Sequence, residues 1–293
     1  MTTQLVTSAA TTRYLSSSAT TSGSSSSSVL RVRFFYDYKS PYAYLAKDAN
    51  YALEQDLPVA ERVEIQYLPF SFNMDVSFGL PDVRSEWQWN IIRNAYKDVR
   101  RVANRRDPPV TILGPQKAWN STLAFMASVF VQRQCGVYTG VAAGGSLDVP
   151  CTEWYSDSNT TSSTTRASSQ APFLLYHNEI YERFFQRDFD LESFDEIEAL
   201  VSKSLNSDIA DALREFTGGS VIADLKSGHS VVNQNSENSP GARALGRIIE
   251  QAACDRVFGV PSWLVEDGSE NGELFFGQDR VFMVEDILKE LSE

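Results

Sequence analysis

The chain has 293 residues, of which 42% are hydrophobic, and its formal net charge is −12. So acidic a chain argues against a nucleic-acid partner, because such binding requires clustered Lys and Arg. It contains no run of about 18 apolar residues, so we expect no membrane span.

The first 28 residues form a Ser/Thr-rich segment whose only charged residue is Arg13. Such a segment cannot bury enough apolar surface to fold, so we predict a disordered tail over 1–28, with a targeting segment as the alternative. Roughly 265 residues remain, which is enough for one large domain or for a domain with an inserted subdomain.

The cysteines and histidines give no metal-binding pattern. Cys135, Cys151 and Cys254 lie far apart in the sequence, and the chain has only two histidines, so we expect no metal site. His177 has apolar neighbours and no second metal-type residue nearby, so it is interpreted as a packed or surface side chain and not as a metal ligand. This cysteine usage is typical of a reducing compartment, and we expect an intracellular protein of the cytoplasm or mitochondrion.

An aromatic run from Val32 to Tyr38 predicts a buried strand that leads directly into a helix. Ser40 is a favoured N-cap residue, and Pro41 suits the first helical position. The Ser40 hydroxyl is then held where unpaired backbone N–H groups and the positive end of the helix dipole converge, which suits an anion. The alternative is a purely structural N-cap.

The middle of the chain reads as a strand followed by helices. Residues 63–70 alternate apolar and polar side chains, and a helix between two strands predicts that those strands are parallel. Helices are predicted over 85–104, 116–135, 173–185, 190–205, 207–216 and 239–256. We expect Ser207 to cap the fifth of these, Gly218 to end it, and Ser239 to cap the sixth. Two polar stretches, 140–171 and 224–239, are predicted to be flexible insertions.

Near the C-terminus, Val260 and Pro261 begin a strand, and their peptide bond is a candidate for the cis form. The Val260 backbone could then pair with a peptide-like ligand. A hairpin follows, and Gln278 and Asp279 open the last helix. Their free N–H groups could receive a carboxylate, and Asp279 could accept an ammonium.

Four motifs in this order resemble the DsbA-like family of 2-hydroxychromene-2-carboxylate isomerases and kappa-class glutathione transferases. They are Phe34-Phe35-Tyr36-Asp37 with Ser40-Pro41-Tyr42-Ala43-Tyr44-Leu45, then Tyr67-Leu68-Pro69-Phe70, then Val257-Phe258-Gly259-Val260-Pro261-Ser262, then Phe276-Gly277-Gln278-Asp279-Arg280. The resemblance spans about 32–291. It implies an α/β thioredoxin-like (DsbA-like) fold, within 30–293, with an inserted all-helical subdomain. The thioredoxin core would be 30–70 and 256–293, and the insertion 71–255.

The resemblance also implies glutathione as a co-substrate. In that family a serine at the position of Ser40 replaces the first cysteine of the disulfide-oxidoreductase motif and contacts the glutathione sulfur. Residues 40–43 contain no cysteine, so a dithiol cycle there is excluded. The implied glutathione-binding residues are Pro41, Asn73, Val260, Pro261, Gln278 and Asp279. The candidates for the second-substrate pocket are Tyr42, Trp87, Trp119 and Asn120. The loop after the second strand departs from the family's Gly-rich, Lys-containing loop, and only Asn73 is a plausible equivalent there.

The leading hypothesis is a glutathione-dependent enzyme. It would transfer the thiolate to an electrophilic aromatic small molecule, or add it reversibly to allow cis–trans isomerisation. One alternative is a non-catalytic thioredoxin-fold module that binds peptides or proteins, and another is a disulfide oxidoreductase acting through Cys135, Cys151 or Cys254. The resemblance further implies a homodimer.

Overall fold

Strand β1, Leu30–Tyr36, lies inside the sheet, and all its residues except Arg31 are buried. The computed structural model describes residues 29–55, 62–71, 79, 81–136, 163–218, 239–267, 269 and 272–292. The other strands are β2 (Val63–Pro69), β3 (Ser262–Val265) and β4 (Glu273–Phe276). The helices are α1 (Pro41–Gln55), α2 (Glu86–Ala103), α3 (Thr122–Gln134), α4 (Ser163–Gln186), α5 (Phe194–Leu205), α6 (Ala210–Thr217), α7 (Pro240–Cys254) and α8 (Val281–Glu290).

The sheet has the strand order β2-β1-β3-β4. Strands β1 and β2 are parallel, as predicted, with Leu30 opposite Val63. Strand β3 runs antiparallel to β1, and Phe35 pairs with Ser262, so the start of β3 lies beside the end of β1. Strand β4 pairs antiparallel with β3 as the predicted hairpin. This register brings the Val260–Pro261 segment to the end of the sheet where β1 leads into α1.

Helix α3 is the centre of the helical part. Every residue from Thr122 to Gln132 is buried, and the helix packs against α4, α5, α6 and α7. A helix that is apolar on all sides is stable only when other elements surround it. Aromatic side chains then join this bundle to the sheet: the Tyr36 ring lies 6.2 Å from Phe125 of α3 and 4.7 Å from His177 of α4. The sequence left a packed or a surface position open for His177, and the structure shows the packed one, since the side chain is fully buried.

A buried ion triad centred on Arg33 links β1 to two other elements of the fold. Arg33, 8% exposed, lies 2.6 Å from Asp255 and 2.9 Å from Glu266, which connects β1 to the end of α7 and to the end of β3. A buried cation needs such partners, because an unpaired charge in the interior is strongly destabilising.

Several predicted boundaries are wrong. Helix α3 begins at Thr122 instead of residue 116, and α6 begins at Ala210 with no side-chain cap, so Ser207 does not cap it. The predicted flexible stretch 140–171 includes the start of α4 at Ser163, because Ser and Thr cost a helix less than about 1 kcal/mol each and do not prevent one. The rest of that stretch, residues 224–238 and the tail 1–28 lie outside the described residues.

Other helix ends agree with the sequence. Ser239 accepts a hydrogen bond from the Ala242 amide with Pro240 at the first turn, and Gly218 ends α6 in the left-handed conformation. Helix α2 begins after Ser85, whose side chain forms a capping box with Gln88. In the described ranges no helix combines the length and the apolar character that crossing a membrane requires.

Candidate functional site

The first component of the site is the start of α1. The Ala43 amide donates to the Ser40 Oγ over 3.2 Å, and the Tyr44 amide donates to the Ser40 carbonyl over 3.0 Å, so the predicted N-cap is confirmed. Pro41 occupies the first helical position. Ser40 is half-buried, and its own hydroxyl proton has no acceptor among the described residues. That proton is available for a ligand.

A buried carboxylate belongs to the turn that precedes Ser40, and the sequence gives no sign of its contacts. Asp37 is 1% exposed, and its Oδ1 accepts hydrogen bonds from the Ser121 hydroxyl at 2.8 Å and from the Lys39 amide at 3.0 Å. The Lys39 Nζ lies 3.5 Å from Oδ2. Because Ser121 is 84 residues away in the chain, no local pattern could have predicted this contact.

The second component is the segment before β3. The Val260–Pro261 peptide bond is cis, as the sequence suggested, and the Pro261 carbonyl accepts a hydrogen bond from Gly277. Neither the N–H nor the carbonyl of Val260 has a hydrogen-bond partner in the described part of the chain. Val260 is half-buried, so a ligand with its own amide groups could pair with this backbone.

The third component is the turn after β4. Gln278–Arg280 forms a 3₁₀ turn that leads directly into α8 at Val281. Gln278 and Asp279 therefore open the last helix as predicted, but in a 3₁₀ turn and not as α-helical residues. Gly277 adopts a φ of 103°, which favours glycine, and the chain reverses there after β4. The turn contacts α1, and Asp279 is one of the charges that raise the pKa of Tyr42. Asp279 is exposed and pairs with Arg280 at 2.7 Å.

An aromatic pair borders this part of the site, and it too was missed. Phe258 and Phe276 are 63% and 44% exposed, and their ring centroids are 4.7 Å apart. A Cβ on Gly259 would lie 2.6 Å from the Phe276 ring, so this packing requires glycine there. The sequence placed Phe258 and Phe276 in family motifs but gave no sign that the two rings would be exposed.

The predicted second-substrate residues are not all brought together. The Tyr42 hydroxyl donates to the Ala95 carbonyl at 3.2 Å, and burial together with the Asp98 charge raises its pKa. Trp119 packs against Phe184 at 5.7 Å. Trp87 is 71% exposed on α2, so it does not belong to an apolar stripe that faces the core.

Asn120 accepts a hydrogen bond from the Thr122 amide at the start of α3, and it precedes the Ser121 that contacts Asp37. Tyr42 alone of the four candidates is adjacent to Ser40 in the chain. Asn73 lies outside the described residues.

The described cysteines offer no redox centre. Cys135 and Cys254 are free, and burial raises the pKa of the Cys135 thiol, which disfavours its reactive thiolate. Among the residues with assigned structure, no cluster of His, Cys, Asp and Glu could hold a metal ion. Cys151 lies outside the described residues.

Comparison with known proteins gives matches at the level of structure. No protein-family model matches the chain, and no curated protein matches it. A solved 2-hydroxychromene-2-carboxylate isomerase is similar at 18% identity with a TM-score of 0.51, and the match covers 89% of this chain and 95% of that one. A probable DsbA oxidoreductase from Streptomyces coelicolor is similar at 12% identity with a TM-score of 0.50, covering 89% of both chains.

The first neighbour is an isomerase of the kind that the motifs resemble, and the second is a probable DsbA oxidoreductase. The four-stranded mixed sheet, the cis-proline before β3 and the helices between β2 and β3 agree with that architecture. The chain therefore has an α/β thioredoxin-like fold of the DsbA type with an inserted helical subdomain.

Proposed function

We propose that the protein is a glutathione-dependent enzyme whose bound thiolate attacks an electrophilic, aromatic small molecule. The observation that carries the proposal is the placement, at one end of the sheet, of three groups that a ligand could use. They are the Ser40 hydroxyl at the start of α1, the free backbone of Val260, and the Asp279 carboxylate in the turn that contacts α1. The similar isomerase and the family motifs support the same reaction class.

The groups present suit the three parts of glutathione. The Val260 N–H and carbonyl can form backbone hydrogen bonds with the cysteinyl residue of glutathione, as in β-strand addition. That residue would then lie beside Pro261. Asp279 can accept the γ-glutamyl ammonium, and Gln278 can hold the carboxylate at the same end. Pro41 would line the sulfur side. Asn73 is proposed from the family resemblance alone.

Ser40 acts on the sulfur as a hydrogen-bond donor. A serine hydroxyl without a general base is a poor nucleophile, and the described site provides no histidine next to Ser40. A thiol with a pKa of about 8.5 is mostly protonated at neutral pH, and lowering that pKa by about 2 units, or about 2.7 kcal/mol, makes the thiolate the major form. One donor and a helix N-terminus supply an effect of that size.

The chemical step is nucleophilic addition without net oxidation. The thiol proton leaves to solvent, and a sulfur lone pair forms a C–S bond to the electrophilic carbon. In a transfer reaction the leaving group departs with its bonding electrons, or the adjacent carbanion takes a proton. In an isomerisation, addition to a conjugated double bond gives a single bond that rotates, and elimination then restores the double bond and the thiolate.

The second candidate function is a thioredoxin-fold module that binds peptides without catalysis. The exposed Phe258 and Phe276 beside the free Val260 backbone favour it, because an apolar patch next to unpaired backbone groups suits an extended peptide. A disulfide oxidoreductase is the weaker alternative, since residues 40–43 contain no cysteine and burial raises the pKa of the Cys135 thiol.

Calorimetric titration of reduced glutathione separates these functions. We expect micromolar to low-millimolar binding to the wild type, loss of binding in Asp279→Ala, and unchanged binding in Asp286→Ala. The latter removes the same charge from an exposed position on α8. Absence of binding to the folded wild type, with retention of extended peptides, would contradict the enzyme proposal and support the binding module. Insulin reduction would instead revive the oxidoreductase.

A further inference from the structure

The Asp37 carboxylate and the turn that it closes suggest a role beyond packing. Two hydrogen bonds close the same turn: the Ser40 amide donates to the Asp37 carbonyl at 2.9 Å, and the Lys39 amide donates to the Asp37 Oδ1 at 3.0 Å. The Tyr181 hydroxyl donates to that same carbonyl at 3.2 Å. The position of Ser40 at the start of α1 is therefore fixed by Asp37 through both its backbone and its side chain.

Ser121 contributes to this arrangement instead of capping its own helix. It stands at the N-cap position of α3, yet its side chain makes no capping hydrogen bond and its hydroxyl donates to Asp37 at 2.8 Å. Serine at this position normally accepts from the first helical amides. The hydroxyl thus stabilises a buried charge 84 residues away, at the expense of its own helix end.

The Lys39 ammonium lies on the outer side of this carboxylate. The Asp37 side chain is 2% exposed and the Lys39 side chain is 21% exposed, so the cation separates the anion from solvent. No hydrogen bond of the Lys39 ammonium to another described residue is present, which leaves its N–H groups free to face a ligand. The cation is therefore the more accessible member of the pair.

The neighbours of Asp37 show which part of the fold the Asp37–Lys39 pair adjoins. Ser121 stands at the start of α3, so Asp37 faces the helical insertion. Burial, with a smaller contribution from the Asp37 charge, raises the pKa of Tyr96 on α2 to about 12. Val260 precedes β3, and Asp279 precedes α8. Tyr42, two residues after Ser40, contacts Asp98 and is affected by the Asp279 charge, and Asp279 pairs with Arg280.

We propose that Asp37 is a positioning residue that holds the Lys39 ammonium and the Ser40 hydroxyl together, so that both stabilise the thiolate of bound glutathione. This inference rests on the proposed function and adds a fixed positive charge to it. A cation a few ångströms from a partly buried thiolate favours the charged form, and a cation that is not tethered is more readily screened by water. Asp37 does not touch the ligand and acts through Lys39 and the turn.

The test is the acidity of the bound thiol, read from the ultraviolet absorbance of the thiolate as pH is varied. In Lys39→Gln we expect the pKa of the bound thiol to rise by about 1 unit, and turnover at neutral pH to fall about tenfold. Lys39→Arg keeps the charge and should retain most of the effect. Asp37→Asn should raise this pKa as well, and Ser121→Ala should raise it less.

Lys39→Gln alters a partly exposed side chain, so it keeps the test decisive if Asp37→Asn fails to fold. A thiolate signal with the same pKa in the wild type and in Lys39→Gln would overturn the role of Asp37 and Lys39 while leaving the glutathione site intact. Absence of any bound thiolate in the wild type would instead overturn the proposed function and, with it, this inference.

Discussion

At the scale of single residues, a polar side chain can cap a helix or serve a ligand, and Ser40 is arranged to do both. Its oxygen accepts a hydrogen bond from the Ala43 amide, whereas its proton has no acceptor among the residues that the structure describes. Ser239 forms the same Ser-Pro start in α7, where its oxygen accepts from Ala242 at 3.1 Å. Ser239 can therefore serve as a control residue that caps a helix in the same way as Ser40 but is not part of the proposed site.

Replacing each serine by alanine separates the two roles. Either substitution removes one capping bond and should cost about 1 kcal/mol of the free energy of unfolding. Only Ser40→Ala should lower glutathione-dependent turnover, by about 100-fold, with little change in KM, because Val260 and Asp279 still hold the ligand. Steady-state kinetics and urea unfolding of both variants provide the measurement. Equal turnover in the two variants would leave Ser40 as a helix cap alone.

At the scale of elements, the sequence predicts features that depend on neighbouring residues, such as helix caps, but not features that depend on contacts between distant segments. The capping box of Ser85 and Gln88 marks the start of α2, which agrees with the sequence to within one residue. The sequence predicts the start of α3 six residues too early, because Gln116, Lys117 and Ala118 all have high helix propensity. In the structure, the Asn120 amide instead donates to Glu192, and Ser121 binds Asp37.

The features of the site also fall into these two groups, local ones that the sequence predicts and long-range ones that it does not. Ser40, Pro41 and the cis bond before Pro261 follow from local patterns, because serine and proline constrain the backbone around them. The burial of Asp37 and the exposure of Trp87 depend on which helices pack where, and a helical stripe alone does not determine that. The same limit applies to the exposed Phe258 and Phe276.

Close packing between helices gives a test at the element scale. A Cβ on Gly241 of α7 would lie 2.9 Å from the Phe216 carbonyl and ring, and 3.0 Å from the Met126 sulfur. The carbonyl cannot move without disturbing α6, so Gly241→Ala should lower the free energy of unfolding by about 1–3 kcal/mol.

Gly246 on the same helix is the matched control, since a Cβ there would have no neighbour within 4 Å. Gly246→Ala should raise the free energy of unfolding by about 0.5–1 kcal/mol, because alanine loses less backbone entropy in a helix. Denaturant unfolding of the two variants measures both changes. A stabilising Gly241→Ala would show that α6 and α7 pack less closely than described.

At the scale of the whole molecule, one aromatic core joins the sheet to the inserted helices. Tyr38 from the end of β1 lies between Phe125 of α3 and Tyr181 of α4, with ring centroids 5.8 Å and 5.0 Å away. His177 lies within this core, and its Nδ1 is 3.2 Å from the Tyr38 hydroxyl. Its Nε2 has no hydrogen-bond partner among the described residues, so a proton added there would introduce an unpaired buried charge.

This arrangement makes the stability of the fold depend on pH. Burial, with a smaller effect of the Lys47 charge, lowers the pKa of His177 well below its ordinary value. The unfolded chain, with a histidine pKa of about 6.5, therefore takes up a proton that the folded chain does not. The stabilisation is fully present above pH 6.5 or so and is lost as pH falls below that value, by up to about 2 kcal/mol at pH 5.

Urea unfolding of the wild type and of His177→Phe between pH 5 and 7.5 measures this dependence. The variant keeps an aromatic ring in the core but has no group to protonate, so its stability should fall less steeply with decreasing pH. The difference between the two proteins cancels the contributions of His229 and of the many carboxylates. Parallel pH profiles would show that His177 is protonated equally in the folded and unfolded states, and that the core around it admits water or a counter-charge.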